Sequence, residues 1–498
     1  MGGVATLISI DRGAQKPIYQ QIYETFRARI VRRELRPGQH VPSTRQLARE
    51  LRVSRFPVLN AYAQLLAEGY FESRVGAGTF VASSLPDEPA TRRSKPAASP
   101  ANGSRTLAAR ASALPPYLKP AYAERLGYFQ VGHPEMETFP LKVWSRLAAR
   151  RSRSMRPAEL QYGDAMGLAE LRSAIAVYLR TSRGVLCEAE QIMIVGGSQQ
   201  ALDVTVRVLL DPCAPVWVEE PGYWLVHHAL KAAGCVAVPV PVGPEGLDVS
   251  AGVELSPEAR AAFVAPSHQY PLGVTMSAAR RFRLLEWAQD AGSWIVEDDY
   301  DSEYRYGSQP ISSLQGLDTS SRVIYVGTFS KVLFPALRLG YVVIPPDLVE
   351  RFAAVRQAMD LCPSPFNQAV LADFIREGHF ARHIRRMRQV YAERRRVLAQ
   401  EIARQLDGLC TVVGGEAGMH LTVFIDGAVS DTEIAARAAE KSLRLSALSL
   451  SYAGSAARQG FVLGFGNTPA SAIPGAVRTL RKLIEEARRA PAVVARRA

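Results

Sequence analysis

The sequence predicts an α/β protein in two parts. A small N-terminal helix-turn-helix with a wing precedes a large domain, whose central sheet is mainly parallel and which ends in a smaller C-terminal α+β subdomain. Three observations predict it. Dense helical patterning over residues 1–82 ends in a Gly-rich turn. From about residue 126 to 490, short continuously apolar runs alternate with helical patterns, as in a parallel sheet buried on both faces. Between the two, residues 83–125 are dominated by Pro, Ala, Ser and Arg with few periodic apolar positions, which is linker composition.

Length and composition agree. At roughly 100–200 residues per domain, 498 residues suggest two to four domains. Hydrophobic residues at 47% and charged residues at 21% exclude a wholly disordered or collagen-like chain. No run of about 18 apolar residues occurs, so no transmembrane helix is expected. The start, MGGVATLISIDRGAQ, lacks the basic segment of a secretory signal. The five cysteines are scattered with no CxxC pair, which argues for a reducing cytoplasm and against a disulfide framework or a structural zinc site.

The net charge of +13 is unevenly spread. Residues 1–82 hold 12 Lys and Arg against 6 Asp and Glu, residues 83–125 hold 7 against 3, and the remainder holds 41 against 38. A basic module on a nearly neutral body suggests a polyanion partner, nucleic acid first, with a merely soluble basic surface as the alternative.

In the N-terminal module, residues 17–34 begin with Pro and place Ile18, Ile22, Phe26 and Ile30 on one face of an amphipathic helix. Ser43 is the N-cap expected for a second helix, STRQLARELR. After Val53-Ser54 a third helix runs to about residue 68 and stops at Gly69. Two β-like runs then flank Gly76 and Gly78 as a hairpin. The order is that of a helix-turn-helix followed by a wing.

The strongest chemical signal is YVGTFSKVLFPALRLGY (325–341). It places Lys331 after a strand in a Gly/Ser/Thr-rich loop, and Arg338 follows seven residues later. A lysine can form an imine with an aldehyde, and an arginine supplies a fixed cation for phosphate. An aldehyde that also carries phosphate describes pyridoxal 5'-phosphate. Thirty-three residues upstream of Lys331, the strand SWIVEDDYDSEYRY ends in acids and tyrosines. Asp298 is assigned to the pyridine nitrogen, which a carboxylate keeps protonated, and Tyr300 to the 3'-oxygen. Asp299 and Asp301 compete for the first role, the alternative for them being solvated strand-end acids. In MIVGGSQQALDVTVRVLL (193–210), a strand, a Gly-rich turn and a helix offer backbone N–H groups and the Ser198 hydroxyl to a phosphate.

The N-terminal stretch resembles the winged helix-turn-helix of GntR-type bacterial regulators, through PIYQQI (17–22), LRPGQHVPSTRQLARELRVSR (35–55), AYAQLLAEGY (61–70) and VGAGTFV (75–81). The resemblance implies that Ser43, Arg45, Ser54 and Arg55 meet double-stranded promoter DNA at the starts of the second and third helices, with Arg74 and Gly78 in the wing. A solvated helix face is the alternative for the arginines. The sequence departs from the family at Phe56-Pro57, where polar residues are common; Phe56 either meets a thymine methyl or packs.

The large domain resembles the fold-type I aminotransferases through VGHPEMETFP (131–140), YGDAMGLAELRSAIAVYL (162–179), VGGSQQALD (195–203), EEPGYW (219–224), APSHQYPLG (265–273), VEDDY (296–300) and TFSKVLFPALRLGY (328–341). The resemblance implies a head-to-tail homodimer and Lys331 as the aldimine lysine. It implies a phosphate cradle of Ser198, Gln199, Thr328, Ser330 and Arg338, Tyr223 stacked on the ring, and Tyr162 reaching in from the other subunit. Many such enzymes have Asn before the Pro-x-Gly. Here the run is His268-Gln269-Tyr270-Pro271, so that contact is lost or moves to a neighbour, His268 being the candidate. The substrate-carboxylate arginine is assigned to Arg458, with a surface arginine as the alternative. The basic run 376–396, with 8 Arg and 2 Glu, reads as a helix with a solvated face, a wider DNA-binding surface being the alternative.

Together the two halves resemble the MocR subgroup of bacterial transcription regulators. That implies a regulator that binds promoter repeats and senses pyridoxal phosphate or an amine through Lys331, with RNA polymerase as a further partner if it activates. The alternative is an active aminotransferase carrying a DNA-binding module.

Overall fold

The computed structural model describes residues 8–74, 76–83, 108–115, 127–306, 311–427 and 429–489. They fall into two compact units, Met1–Thr106 and Leu107–Ala498. Most of the linker reading for 83–125 lies outside the described residues; inside it, Ala109–Ser112 form one short helical turn.

In the first unit, α1 (Ile18–Val31) buries Ile22, Phe26 and Ile30, the stripe its four-residue spacing predicts. The Ser43 hydroxyl caps α2 (Thr44–Glu50), accepting from the Gln46 amide at 3.2 Å. Helix α3 (Arg55–Ala67) ends before Gly69, whose φ of +76° suits the turn into β1 (Phe71–Arg74). Strand β2 (Gly78–Val81) returns antiparallel and pairs Phe71 with Val81. Phe26, Tyr62 and Phe71 meet edge to face, with centroids 5.1–5.7 Å apart. The Tyr62 hydroxyl donates to the Pro42 carbonyl at 2.8 Å and ties α3 to the turn before α2.

The second unit is built on an eight-stranded sheet. Its strands are β3 (Ile192–Val195), β4 (Pro215–Glu220), β5 (Val236–Gly243), β6 (Gly246–Leu247), β7 (Ala261–Val264), β8 (Trp294–Asp299), β9 (Val323–Thr328) and β10 (Gly340–Val343), in the order β3-β10-β9-β8-β7-β4-β5-β6. The run β9, β8, β7, β4, β5 is parallel. Strand β10 runs against both its neighbours, β3 and β9. The β9–β10 connection is too short for a crossover helix, so the chain turns back on itself, and both Lys331 and Arg338 sit in that turn.

A smaller antiparallel sheet follows: β11 (Cys410–Val413), β12 (His420–Ile425), β13 (Ser446–Ala447) and β14 (Gly460–Gly464), in the order β11-β12-β14-β13. The helix Ile473–Arg489 packs in this part with Ile473, Ala476, Val477, Leu480, Leu483 and Ile484 buried at helical spacing. The basic run 376–396 lies in helices Pro365–Arg376 and His379–Gln405. Arg376, Arg382, Arg385, Arg386, Arg388 and Arg396 are exposed, as a solvated face requires. Arg394 departs from it, buried against Glu135 and the Gly466 carbonyl, and the exposed Arg388 donates to the Glu303 carbonyl at 2.6 Å.

Candidate cofactor and DNA-binding sites

The carboxyl ends of β4, β7, β8 and β9 floor a cavity of about 730 Å³. Lys331 stands just past β9, and its Nζ donates to the Gly132 carbonyl at 3.0 Å. Burial lowers the lysine's pKa; Asp301 and Asp298 oppose that shift and Arg338 adds to it. The shift runs toward the neutral, nucleophilic amine.

Strand alternation separates Asp298 from Asp299, and Asp301, past the end of β8, also lines the cavity. Asp298 lines the cavity, and its Oδ1 is buried with no partner. Burial and the charge of Asp299 push its carboxyl up to about 7, against the pull of Lys331. Asp299 points the other way, into an ion pair with Arg183 at 2.6 Å and a hydrogen bond from Tyr325 at 2.6 Å. Asp301 accepts from His268 Nδ1 at 2.9 Å and from the Met419 amide at 3.2 Å. Tyr300 and Tyr223 both line the cavity.

Opposite Asp298, the helix Ser198–Leu209 aims its N-terminus into the cavity, with Gly197 at φ +112° as N-cap. Ser198, Gln199, Thr328, Ser330 and Arg338 line this end. The Ser330 hydroxyl is buried without a partner. A Cβ on Gly197 would stand 3.3 Å from both terminal nitrogens of Arg338, so glycine lets the guanidinium close on the turn. Arg338 itself holds a left-handed conformation, φ 51° and ψ 48°, a strained choice for a non-glycine residue that aims its side chain here. A pyridine ring with an aldehyde and a phosphate fits this set: an orphaned carboxylate for the ring nitrogen, a buried amine for the aldehyde, and an arginine with a helix N-terminus for the phosphate.

Three residues singled out in the sequence stand elsewhere. Tyr162 is 85% exposed and does not line its own chain's cavity. His268 is buried, and its Nδ1 meets Asp301 and Tyr300 rather than the cavity. Arg458 lies over the Phe424 ring at 5.3 Å and outside the cavity lining. The register explains this. It pairs Gly460, at the start of β14, with Phe424, and Gly464, at the other end, with His420, which does line the cavity. The arginine that lines the cavity from this subdomain is Arg444. Its Nε is buried without a partner, and no carboxylate pairs with it among the described residues. No local motif marks it; the only hint is its place between Leu443 and Leu445, both buried.

In the N-terminal unit, Arg45, Ser54 and Arg55 are exposed at the starts of α2 and α3. Ser43 is exposed but already engaged as a cap, and Arg55 Nε donates to Thr44 Oγ1 at 3.2 Å. Arg74 pairs with Glu72 at 2.6 Å and covers Phe80. Gly78 has φ +107°, and a Cβ there would come within 2.7 Å of His40 Nε2. Phe56 is 70% exposed in the first turn of α3, so it does not pack into this unit.

Comparison with known proteins agrees with both halves. The bacterial regulatory proteins of the gntR family match residues 18–81, and aminotransferase class I and II matches residues 129–457. A probable rhizopine catabolism regulatory protein MocR of Rhizobium meliloti is 41% identical over 95% of each chain. The chain belongs to the MocR-type regulators of the GntR family. Among solved structures, kynurenine aminotransferase of Pyrococcus horikoshii, in complex with PMP, has a TM-score of 0.69 at 27% identity, covering 76% of this chain and 97% of its own. An α-aminoadipate aminotransferase of Thermus thermophilus, complexed with N-(5'-phosphopyridoxyl)-L-leucine, has a TM-score of 0.67 at 29% identity over 72% and 92%. This regulator is thus a DNA-binding, aminotransferase-like transcription factor whose large domain takes pyridoxal 5'-phosphate. Among the described residues no helix is long and apolar enough to cross a membrane.

Proposed function

We propose that the regulator senses a primary amine bearing an anionic group, and that occupation of the cavity changes how two N-terminal modules engage promoter DNA. The observation that carries this reading is the presence, in one cavity, of a buried amine at Lys331 and a half-buried arginine, Arg444, whose Nε has no partner. When bound, the cofactor supplies an aldehyde that condenses reversibly with primary amines. Lys331 holds that aldehyde, Asp298 and Tyr300 hold the ring's polar edge, and Tyr223 covers its face. Ser198, Gln199, Thr328, Ser330 and Arg338 hold the phosphate. Arg338 is committed there, which leaves Arg444 for the effector's carboxylate or sulfonate.

In this reading residues 1–82 bind DNA, 83–125 link, and 126–490 sense. The functional unit is a head-to-tail homodimer in the cytoplasm, and the exposure of Tyr162 fits a residue that serves the other copy's site. Ser43, Arg45, Ser54, Arg55, Arg74 and Gly78 form the DNA-facing surface. RNA polymerase is a further partner where the regulator activates. A ligand that prefers one of two conformations shifts the pair's DNA affinity by its differential affinity.

The test is an absorbance titration of the full chain with pyridoxal phosphate and then with amines, wild type beside Lys331→Ala, with promoter binding followed in parallel. A visible band absent from the variant, and amine-dependent changes in both band and DNA binding, are expected. Steady release of an oxo acid would favour the second reading, an active aminotransferase, which the buried lysine and Asp298 also support. DNA binding unmoved by cofactor and amine overturns the sensor.

A further inference from the structure

Behind the wall of the cavity lies a hydrogen-bonded series that no cofactor contact requires. His268 Nδ1 is 2.9 Å from Asp301 Oδ1 and 3.1 Å from the Tyr300 hydroxyl. His268 and Asp301 are buried and Tyr300 is half-buried; Tyr300 and Asp301 line the cavity and His268 does not. The imidazole is confined tightly. A Cβ on Gly418 would stand 2.0 Å from His268 Cε1, and one on Gly273 would stand 3.2 Å from Nε2. The groups facing this series are Asp298, Glu219 and Tyr270 around Tyr300, Lys331 and Tyr306 near Asp301, and His420 against the imidazole, with centroids 4.6 Å apart. His268, Asp301 and His420 are close enough together to suggest a cation site. His268 Nδ1, Asp301 and His420 Nε2 are instead engaged in hydrogen bonds: Asp301 accepts twice, and His420 Nε2 meets the Pro271 carbonyl at 3.1 Å.

The proton inventory selects one tautomer. Asp301 can only accept when ionised, so the 2.9 Å contact requires a proton on Nδ1. The other neutral tautomer would turn a lone pair toward the carboxylate and leave an N–H at Nε2, which is buried with no partner. With the proton on Nδ1 and shared toward both oxygens, the Tyr300 oxygen accepts. Its own proton is then free to point into the cavity. Tyr300 becomes an obligate donor to whatever oxygen lies there.

We propose that His268, fixed by Asp301, is a positioning residue that orients the Tyr300 hydroxyl as a donor to the cofactor's 3'-oxygen. The inference rests on the cofactor reading above. Donation to that oxygen stabilises its deprotonated form, so loss of the donor raises the pH at which the bound cofactor's visible band titrates.

The experiment is a pH titration of that band in the full chain loaded with pyridoxal phosphate, for His268→Phe, Tyr300→Phe and the double variant. Each single variant is expected to raise the apparent pKa by about one unit, a tenfold shift in the protonation equilibrium, and the double variant no more than Tyr300→Phe alone. His268→Asn, which can return an N–H near the Nδ1 position, is expected to restore much of the wild-type value. Equal shifts from His268→Phe in the presence and absence of the Tyr300 hydroxyl overturn the proposal, as does an unshifted band in His268→Phe. Failure of wild type to develop any visible band overturns the cofactor reading itself, and this one with it.

Discussion

Gly132 and Lys331, 199 residues apart in sequence, touch: the lysine Nζ donates to the glycine carbonyl at 3.0 Å, and a Cβ on Gly132 would stand 2.5 Å from that nitrogen. Gly132 also holds φ at +73°, where other residues are strained. The segment that carries Gly132 thus sets how far the amine can retreat. In Gly132→Ala the methyl displaces Nζ, and cofactor affinity is expected to fall about tenfold or more, with the folded state retained. A titration of the visible band against pyridoxal phosphate reads this directly; unchanged affinity would show that the contact does not constrain the lysine.

Asp298 makes the cofactor-free domain pH-sensitive. Its carboxyl is pushed up to about 7 by burial, with Asp299 adding to the effect. An acid whose folded pKa is raised keeps its proton after the unfolded chain has lost its own. Its contribution to stability is therefore whole below about pH 4 and is lost as the pH rises toward 7. Asn at this position never ionises. Cofactor-free Asp298→Asn is expected to match wild type near pH 4 and to exceed it by about 2–4 kcal/mol at pH 8. Saturating pyridoxal phosphate reverses the order, because the pyridinium offers the ionised Asp298 a cation and the Asn variant loses it. Denaturant melts across pH, with and without cofactor, check both halves; a gap independent of pH refutes the argument.

Local order made much of this molecule legible. The four-residue spacing of Ile22, Phe26 and Ile30, the Ser43 cap and the Gly69 stop place the N-terminal helices within a few residues of where they lie. Continuous apolar runs mark β3, β4 and β7–β10, and the cluster of Thr328, Ser330, Lys331 and Arg338 is compact enough to read from one segment. What escaped depends on distant partners. Arg394 reads as one more solvated arginine until Glu135, 259 residues away, closes on it. Arg444 sits in no motif and acquires meaning only because the subdomain folds it over the cavity. Arg458 looked better in sequence, beside an apolar strand, but it lies at the wrong end of that strand.

Phe56 offers a test of base recognition. A phenylalanine 70% exposed in the first turn of α3 contributes little to the fold of its own module. A helix start entering the major groove would set it among base edges, where an aromatic ring meets a thymine methyl. Phe56→Ala is expected to weaken specific promoter binding by about 1–2 kcal/mol, roughly five- to thirtyfold, and to leave nonspecific binding and its salt dependence unchanged. Arg45→Ala, in contrast, should weaken both if it meets phosphate. Fluorescence anisotropy on promoter and scrambled duplexes at several salt concentrations separates the two patterns. Equal losses on both duplexes for Phe56→Ala would assign the ring to packing against the DNA backbone.

In the proposed reading, Arg444 sets what kind of amine the cavity accepts. Arg338 lies against the Gly197 turn and is spent on the phosphate end, while the Arg444 Nε is buried in the same cavity wall with no partner. A carboxylate or sulfonate on the effector would give this half-buried arginine a charge-assisted pair. Arg444→Ala is therefore expected to raise the concentration of an acidic amine needed to shift the visible band by about ten- to a hundredfold. A simple alkylamine of the same length should be affected little. Arg444→Lys is expected to recover part of the loss, since it restores the charge without the planar fork. Cofactor affinity should stay at the wild-type value in all three proteins, which separates this role from that of Arg338. If alkylamines and acidic amines suffer alike in Arg444→Ala, the residue shapes the cavity and does not read the effector's charge.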